Sequence, residues 1–302
     1  MNQIQIKRLH ALTGHRDAVY TICRGPEPSR FFSAAGDGMI ALWDLSSPES
    51  GELIAKLPNS IYALHYFELA DLLIVGHNYE GIHLLDWKTK KESGSLKLSA
   101  AAIFDLQSID NRLVVGSGDG VVTLVDLRNL TILKKVKGGE KSARTIAINR
   151  EREEIAIGFS DNFIRVYDLD LTLKQEWQAH TKSVFTLRYS PDGQWLLSGS
   201  RDARLKAWSL DANYQLAEEV VAHMYAINHI QFSPDGKHFV TCSMDKSIKV
   251  WDAKALKLLK VIDRARHAGH ATSVNKLLWT DYDNQLLSAS DDRSISVWQI
   301  IF

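Results

Sequence analysis

The sequence has 302 residues, of which 45% are apolar and 24% are charged, and its 36 basic residues balance its 36 acidic residues. This composition is typical of a globular protein, and the zero net charge disfavours nucleic-acid binding, which normally requires a basic surface. No apolar run approaches the ~18 residues of a membrane-spanning helix, and the first residues lack the apolar segment of a signal peptide. Because the only cysteines are Cys23 and Cys242, we expect no disulfide framework and a cytoplasmic location.

Four stretches of the chain repeat one pattern of a histidine, a hydroxyl residue, an aspartate and a tryptophan. In each copy the hydroxyl residue precedes the aspartate by four positions, and the tryptophan follows the aspartate by six. The copies are His15, Ser33, Asp37 and Trp43; His180, Ser198, Asp202 and Trp208; His223, Thr241, Asp245 and Trp251; and His270, Ser288, Asp292 and Trp298. Fixed offsets of this kind indicate one recurring structural unit.

The third copy shows the local structure that the unit is predicted to have. Residues 227–232, 237–241 and 247–251 have the apolar content of short strands and are separated by two turn signals. In the first turn Pro234 and Gly236 are suitable residues, because proline fixes φ and glycine tolerates positive φ. We therefore expect each unit to contain a three-stranded antiparallel meander.

These repeats resemble those of the WD-repeat β-propeller family, in which Gly-His stands near the start of a unit and Trp-Asp near its end. Here Gly14-His15 and Gly269-His270 match the first motif, and Trp43-Asp44 and Trp251-Asp252 match the second. Three weaker copies occupy the middle of the chain, at Leu72–Asp86, Leu113–Asp126 and Glu154–Asp168. The resemblance therefore implies an all-β fold in a single domain, residues 1–302: a seven-bladed β-propeller of four-stranded antiparallel blades.

The two ends of the chain are predicted to meet in the last blade. Residues Gln3–Arg8 alternate as a strand does but precede the first unit, whereas the last unit stops at Phe302 without an outer strand. We expect Gln3–Arg8 to be the outer strand of blade 7 and to close the ring, as in most propellers of this family. The other outer strands are predicted at 52–57, 93–98, 131–136, 173–177, 215–220 and 256–261.

The repeated residues can form a buried hydrogen-bond chain in which every polar group is matched. An indole N–H can donate to the hydroxyl, the hydroxyl to imidazole, and imidazole to the carboxylate. A Ser-His-Asp catalytic triad is the alternative, and we reject it because the hydroxyl would lie under a tryptophan and the set occurs four times. In the weak units Leu85, Val125 and Tyr167 stand at the tryptophan position, and the hydroxyl and histidine positions are lost as well.

The sequence predicts no metal or cofactor. His267 and His270 have a spacing found in metal sites, but His270 is already assigned to a hydrogen-bond chain. Residues His65, His77 and His83 crowd one weak unit, yet their alternation suggests different faces of the sheet. With no catalytic or cofactor motif present, we expect a protein that is not an enzyme.

We predict a noncatalytic scaffold that binds a protein or peptide segment on one face of a monomeric propeller. In the family, partners often dock on the face formed by the loops before the inner strands and by the turns before the aspartates. The residues expected there are Tyr62, Phe104, Arg144, Phe185, Arg201, Asn228 and Met244. Aromatic residues and arginine are enriched in binding hot spots. Tyr20 occupies an equivalent position, but we assign it a structural role.

Two other interpretations stay open from the sequence. The aromatic residues of this face could simply pack against neighbouring blades. The protein could also be nucleic-acid-associated, or a subunit of an enzyme complex whose activity resides in other chains.

Overall fold

Residues 4–302 are described by a computed structural model, in which they form seven four-stranded antiparallel sheets around one axis. The chain begins with β1 (Gln5–Thr13), and each blade then runs from its inner strand to its outer strand. Blades 1 to 3 are β2 (Val19–Arg24), β3 (Arg30–Ala35), β4 (Met39–Asp44), β5 (Glu52–Lys56); β6 (Ile61–Phe67), β7 (Leu72–His77), β8 (Gly81–Asp86), β9 (Lys91–Lys97); β10 (Ile103–Ile109), β11 (Arg112–Ser117), β12 (Val121–Asp126), β13 (Thr131–Lys137).

The remaining blades continue in the same order. Blades 4 to 6 are β14 (Ala143–Asn149), β15 (Glu154–Phe159), β16 (Phe163–Asp168), β17 (Leu173–Gln178); β18 (Val184–Tyr189), β19 (Trp195–Ser200), β20 (Arg204–Ser209), β21 (Gln215–Val221); β22 (Ile227–Phe232), β23 (His238–Ser243), β24 (Ile248–Asp252), β25 (Leu258–Ile262). After the short helix α1 (Arg264–His267), blade 7 is β26 (Val274–Trp279), β27 (Leu286–Ser290), β28 (Ser294–Ile301) and β1. No helix within residues 4–302 has the length and apolar character to cross a membrane.

The hydrophobic core lies between the blades. Successive residues of a strand point to opposite faces, so Phe31 packs towards Leu287 of blade 7 whereas Phe32 packs towards Ile61 of blade 2. Because both faces of each sheet are covered, strands such as β15 are buried along their whole length and have apolar runs where a one-sided sheet would alternate. The outer strand β21, in contrast, is exposed throughout.

A second set of contacts joins neighbouring inner strands through hydrogen bonds. Thr145 Oγ1 accepts from the backbone N–H of Leu187 at 3.2 Å, and Thr186 Oγ1 accepts from that of Ile230 at 3.1 Å. Two further bonds of this kind run from Ile146 N–H to Asp105 Oδ2 and from Leu277 N–H to His229 Nδ1. Each accepting side chain is the third residue of its inner strand, so polar side chains at this position tie one blade to the next.

Strand β1 closes the ring by pairing antiparallel with β28, which confirms the expected closure. The observed strand, Gln5–Thr13, extends further along the chain than the predicted Gln3–Arg8, and Gln3 lies outside the described residues. The physical reason is an irregularity in register between Arg8 and His10, after which Leu12 enters the core between blades 1 and 7. The strand therefore continues beyond Arg8, where the alternation of apolar and polar residues ends.

Deleting residues 1–13 should lower the midpoint of thermal unfolding markedly, because β28 would become an open edge and the core around Val297 would be exposed. Leu12→Ala alone should cost about 2–5 kcal/mol of unfolding free energy, whereas His10→Ala, at an exposed position of the same strand, should change it little. Circular dichroism during heating measures both effects. An unchanged melting curve for the deletion variant would show that β1 does not hold the ring closed.

Candidate functional site at the channel mouth

The inner strands converge on a pocket at one mouth of the central channel. Its volume is about 200 Å³. One side chain from each inner strand reaches it, together with four residues that follow them and one from deeper in the channel. The lining residues are Tyr20, Tyr62, Phe104, Arg144, Phe185, Asn228 and Asn275, with Asp105, Thr145, His229, Lys276 and Arg188 behind them.

The predicted binding residues divide into two groups. Tyr62, Phe104, Arg144, Phe185 and Asn228 lie in the pocket wall. Arg201 and Met244, which we also expected on the binding face, lie outside the pocket wall. They follow the second strands β19 and β23 and so stand one strand further from the axis.

Tyr20 also lines the pocket, although we expected it to have only a structural role. Its ring centroid is 4.8 Å from that of Tyr62, which in turn is 5.7 Å from that of Phe104. The aromatic side chains therefore both pack against neighbouring blades and line the mouth of the channel.

Arg144 continues this aromatic strip with a cation. Its guanidinium carbon lies 4.0 Å from the ring centroid of Phe104 and 5.4 Å from that of Phe185, within the range of cation–π attraction. Its Nε also donates to Ser160 Oγ at 3.0 Å. These contacts fix the side chain at the rim, so its charge is held in one place.

Behind the rim lie four ionisable side chains that sequence reasoning did not find. Asp105 and His229 are buried, whereas Arg188 and Lys276 are half-buried. The Asp105 carboxylate accepts hydrogen bonds from the backbone N–H groups of Leu106 and Ile146. Arg188 donates to the carbonyl of Ile230 at 3.3 Å, and its Nη2 lies 3.3 Å from His229 Nε2. The structure gives no hydrogen-bond or ion-pair partner for Lys276 Nζ among residues 4–302.

Burial shifts the protonation of this group. Desolvation lowers the pKa of Lys276 and of Arg188, and it holds the pKa of His229 well below its ordinary value. His229 is therefore neutral near pH 7, whereas Arg188 keeps its charge because arginine is effectively always protonated in proteins. With Arg144, the pocket contains three cations and one carboxylate.

Away from the mouth, the four repeated sets form the hydrogen-bond chain derived from their donors and acceptors. The tryptophan Nε1 donates to the hydroxyl at 2.8–3.0 Å, and the hydroxyl lies 2.7–2.8 Å from the histidine Nε2. The histidine Nδ1 lies 2.8–3.4 Å from the aspartate. The aspartate accepts further backbone N–H groups, as Asp245 does from Met224 and Ser247. Each chain thus ties a turn to the loop before the inner strand.

Comparison with known proteins gives the family. A sequence model described as WD domain, G-beta repeat matches residues 6–44, 171–209, 215–252 and 262–299, about half of the chain. The chain belongs to the WD-repeat family. The matched segments carry the four complete hydrogen-bond chains, and the weak units lie in the unmatched interval 45–170 of this WD-repeat protein.

Two similar proteins add a relative and a fold. Periodic tryptophan protein 2 of Saccharomyces cerevisiae is 26% identical over 218 residues, which make up 70% of this WD-repeat chain and 22% of that protein. The chain therefore spans about a fifth of that relative's length. The WD40 beta propeller domain of Doa1 superposes with a TM-score of 0.87 at 16% identity and 97% coverage of both chains. At this low identity the likeness shows the fold alone.

The weak blades replace the WD-repeat hydrogen-bond chain with other contacts. In blade 4, Arg165 lies 2.9 Å from Asp161 and 2.8 Å from Glu176, with its charge over the ring of Phe159. In blade 2, Trp87 Nε1 donates to Asp71 at 2.9 Å. From the repeat spacing we assigned Leu85 to the tryptophan position of that blade. The tryptophan two residues later, Trp87, was the sequence signal that blade 2 makes a different indole hydrogen bond.

The prediction that the histidines of blade 2 lie on different faces of the sheet is wrong for His77 and His83. The rings of His77 and His83 do not lie apart on opposite faces of the sheet, because their centroids are 5.2 Å apart. His65 is separate from them and lies within hydrogen-bond distance of Ser108 Oγ, at 2.7 Å. Alternation applies within one strand, whereas His77 and His83 come from the paired strands β7 and β8.

Burial and hydrogen bonding act in opposite directions in the WD-repeat chains. Burial alone would raise the pKa of Asp245, but hydrogen bonds, above all the one from His223, hold this pKa well below its usual value. The pKa of Asp202 is lowered in the same way by its hydrogen bond from His180. Desolvation lowers the pKa of His223 and of His180, against the attraction of their carboxylates. The pairs therefore consist of a carboxylate and a neutral imidazole near pH 7.

Thr241→Val should lower the free energy of unfolding by about 1–3 kcal/mol, because it keeps the side-chain shape but leaves Trp251 Nε1 and His223 Nε2 buried without a partner. Urea unfolding measures the change. The matched control is Thr131→Val on the exposed outer strand β13, which should shift the free energy by less than ~0.5 kcal/mol. Equal effects of the two variants would argue against a structural role for the chain.

Stability should fall as the pH drops below about 6.5, the unfolded value for histidine. His180, His223 and His229 have lowered pKa values in the fold, and burial lowers the pKa of His65 to about 4. The unfolded chain then binds more protons than the folded one, so the contribution of these groups is complete above pH 6.5 and is lost towards their folded pKa values. Each histidine can contribute up to ~1.4 kcal/mol per pH unit. Urea midpoints that do not change between about pH 7.5 and 5 would contradict this.

Proposed function

We propose that this WD-repeat protein is a noncatalytic interaction scaffold that binds an anionic segment of a protein partner at the channel mouth. The observation that carries the proposal is the unpartnered Lys276 ammonium beneath an aromatic rim. Lys276 is half-buried, and charges that are partly removed from water are normally paired. A ligand carboxylate or phosphate would supply the missing partner.

The size of the pocket favours a side-chain anchor over a small-molecule substrate. Pockets that enclose drug-sized ligands measure ~300–1,000 Å³, whereas the mouth offers about 200 Å³. One acidic side chain fits this volume, and the rest of a bound segment would lie across the face outside it. There Met244 and Tyr225 of blade 6 are 51% and 60% exposed and could contact the flanking residues.

The electrostatics favour an anion. Three cations face the pocket, which has a single carboxylate, Asp105. This carboxylate accepts backbone N–H groups and also attracts Lys276 and Arg188, but one negative charge cannot balance three positive ones. Partial burial reduces the screening by water, so a charge placed near Lys276 and Arg188 would interact more strongly than on an open surface. Arg201, outside the pocket wall on the same face, would add to the attraction at longer range.

The hydrogen-bond chains support a noncatalytic role. Ser33, Ser198, Thr241 and Ser288 are each 0% exposed and each accept an indole N–H. A nucleophile must reach its substrate, and these hydroxyls cannot.

We also propose that the protein is monomeric and that it is cytoplasmic. The thiols support the second point: Cys242 is buried, and desolvation raises the pKa of Cys23 to about 12. Two unreactive thiols that form no disulfide fit a reducing compartment.

The test uses fluorescent peptides with identical apolar flanks and a central Asp, Glu, phosphoserine, Gln or Lys. We expect the anionic peptides to bind and the Gln and Lys peptides not to bind in fluorescence polarisation. Lys276→Met and Phe104→Asp should each weaken binding at least ~10-fold, since the first removes the charge and the second adds a repelling one.

Lys182→Met is the matched control, because Lys182 is exposed and lies two residues before β18, the strand that carries Phe185. It should leave the affinity unchanged. The proposal fails if the peptides bind without regard to their central charge, if none binds, or if Lys276→Met binds as the wild type does.

A further inference from the structure

Blade 2 brings two imidazoles and a carboxylate together at the turn between β7 and β8. His77 is the last residue of β7, Glu80 lies in the turn, and His83 follows on β8. One potential ligand atom from each lies within 4.8 Å of the other two. His77 Nδ1 is 3.2 Å from Glu80 Oε2, and His83 Nε2 is 3.5 Å from the same oxygen.

The His77 ring is buried with its hydrogen-bonding capacity unused. The residue is 1% exposed, and neither ring nitrogen has a hydrogen-bond partner among the described residues, since the approach of Nδ1 to Glu80 lacks hydrogen-bond geometry. Buried polar groups in folded proteins are nearly always satisfied, so such a ring requires an explanation. A metal ion bound by Nδ1 would provide one.

His83 has the second contact that metal-bound histidines usually make. Its Nδ1 lies 3.2 Å from Glu92 Oε2 on the outer strand β9. The Glu92 carboxylate can accept a hydrogen bond from Nδ1–H, which leaves the lone pair on Nε2 free on the side of Glu80. Carboxylate support of this kind fixes the tautomer and orientation of histidine ligands.

We propose that His77, Glu80 and His83 form a binding site for a divalent transition-metal ion, with zinc as the best fit. Imidazole ligands suit zinc, whereas calcium and magnesium prefer oxygen ligands alone. Tetrahedral zinc with bonds of ~2.0–2.1 Å requires ligand atoms ~3.3 Å apart. The two separations from Glu80 Oε2 are already close to this value, and the two histidine nitrogens, which lie within 4.8 Å of each other, would have to approach further. The side chain of Glu80 is 59% exposed and can follow that movement.

The position of the site indicates what the ion does. In blade 6 the equivalent turn is held by the bond between His223 and Asp245, but in blade 2 Tyr79 stands at the aspartate position and has a positive φ of 74°. An ion bound at His77, Glu80 and His83 would join β7, the turn and β8. It thus replaces the missing clamp and leaves a fourth coordination position for water.

The experiment uses the tag-free full chain, stripped of metal with a chelator and titrated with zinc chloride in a calorimeter. We expect one saturable site per chain, and visible d–d bands of a tetrahedral ion when cobalt is used as the probe. Zinc should also raise the thermal midpoint of the wild type, because it binds the folded state.

Glu80→Ala is the main variant, because the exposed side chain can be removed without disturbing the fold. It and His83→Asn should weaken zinc binding more than ~10-fold and abolish the thermal shift, and Glu92→Gln should weaken binding ~10–100-fold through His83. The control is His267→Asn, which removes a histidine of the other spaced pair and should bind as the wild type does. The site is refuted if no saturable binding occurs at micromolar zinc, or if Glu80→Ala and His83→Asn retain wild-type affinity.

Discussion

Each blade of this propeller is buried on both faces, and this constraint governs the rest of the structure. Phe31 and Phe32 are neighbours in sequence but belong to the cores on either side of blade 1. A blade without its neighbours would expose both faces to water, so the sheets are stable only as a ring. The ring in turn must have no open end, which is why β1 from the start of the chain pairs with β28 near its end.

The hydrogen-bond chains stabilise the turns of this ring without determining its number of blades. Blades 1, 5, 6 and 7 have the tryptophan-to-aspartate chain, whereas blade 4 uses the ion pairs of Arg165. Removing one partner from a buried network leaves another unsatisfied, but exchanging the whole network for different contacts does not. The weak blades can therefore vary while their inner strands and cores keep the same geometry.

The weak blades, which lack the tryptophan-to-aspartate chain, carry much of the channel mouth and all of the proposed metal site. The strip from Tyr62 through Phe104 to Arg144 belongs to blades 2, 3 and 4, and the histidine pair lies in blade 2. These blades stay attached to their neighbours through inner-strand contacts such as Ile146 N–H to Asp105. Asn78, beside His77, accepts a hydrogen bond from Ile103 N–H at the start of the strand that carries Phe104. The turn that holds the proposed ion is thus connected to the wall of the channel mouth.

The sequence alone determined the architecture, because a repeat fixes equivalent positions in every unit. Counting from the strong units placed Tyr62, Phe104, Arg144, Phe185 and Asn228, which line the pocket, and donor and acceptor matching gave the buried chains. It did not find Lys276, since each inner strand has a register irregularity at its start and simple alternation assigns consecutive residues to opposite faces.

Only the tertiary structure decided which groups meet across strands and blades. It joined His77 with His83 and Glu92, left Lys276 without a partner, and paired Trp87 with Asp71. The physical reason is that periodicity specifies the face of a side chain along its own strand. Contacts between different strands depend on register and on turn geometry, which no single stretch of sequence contains.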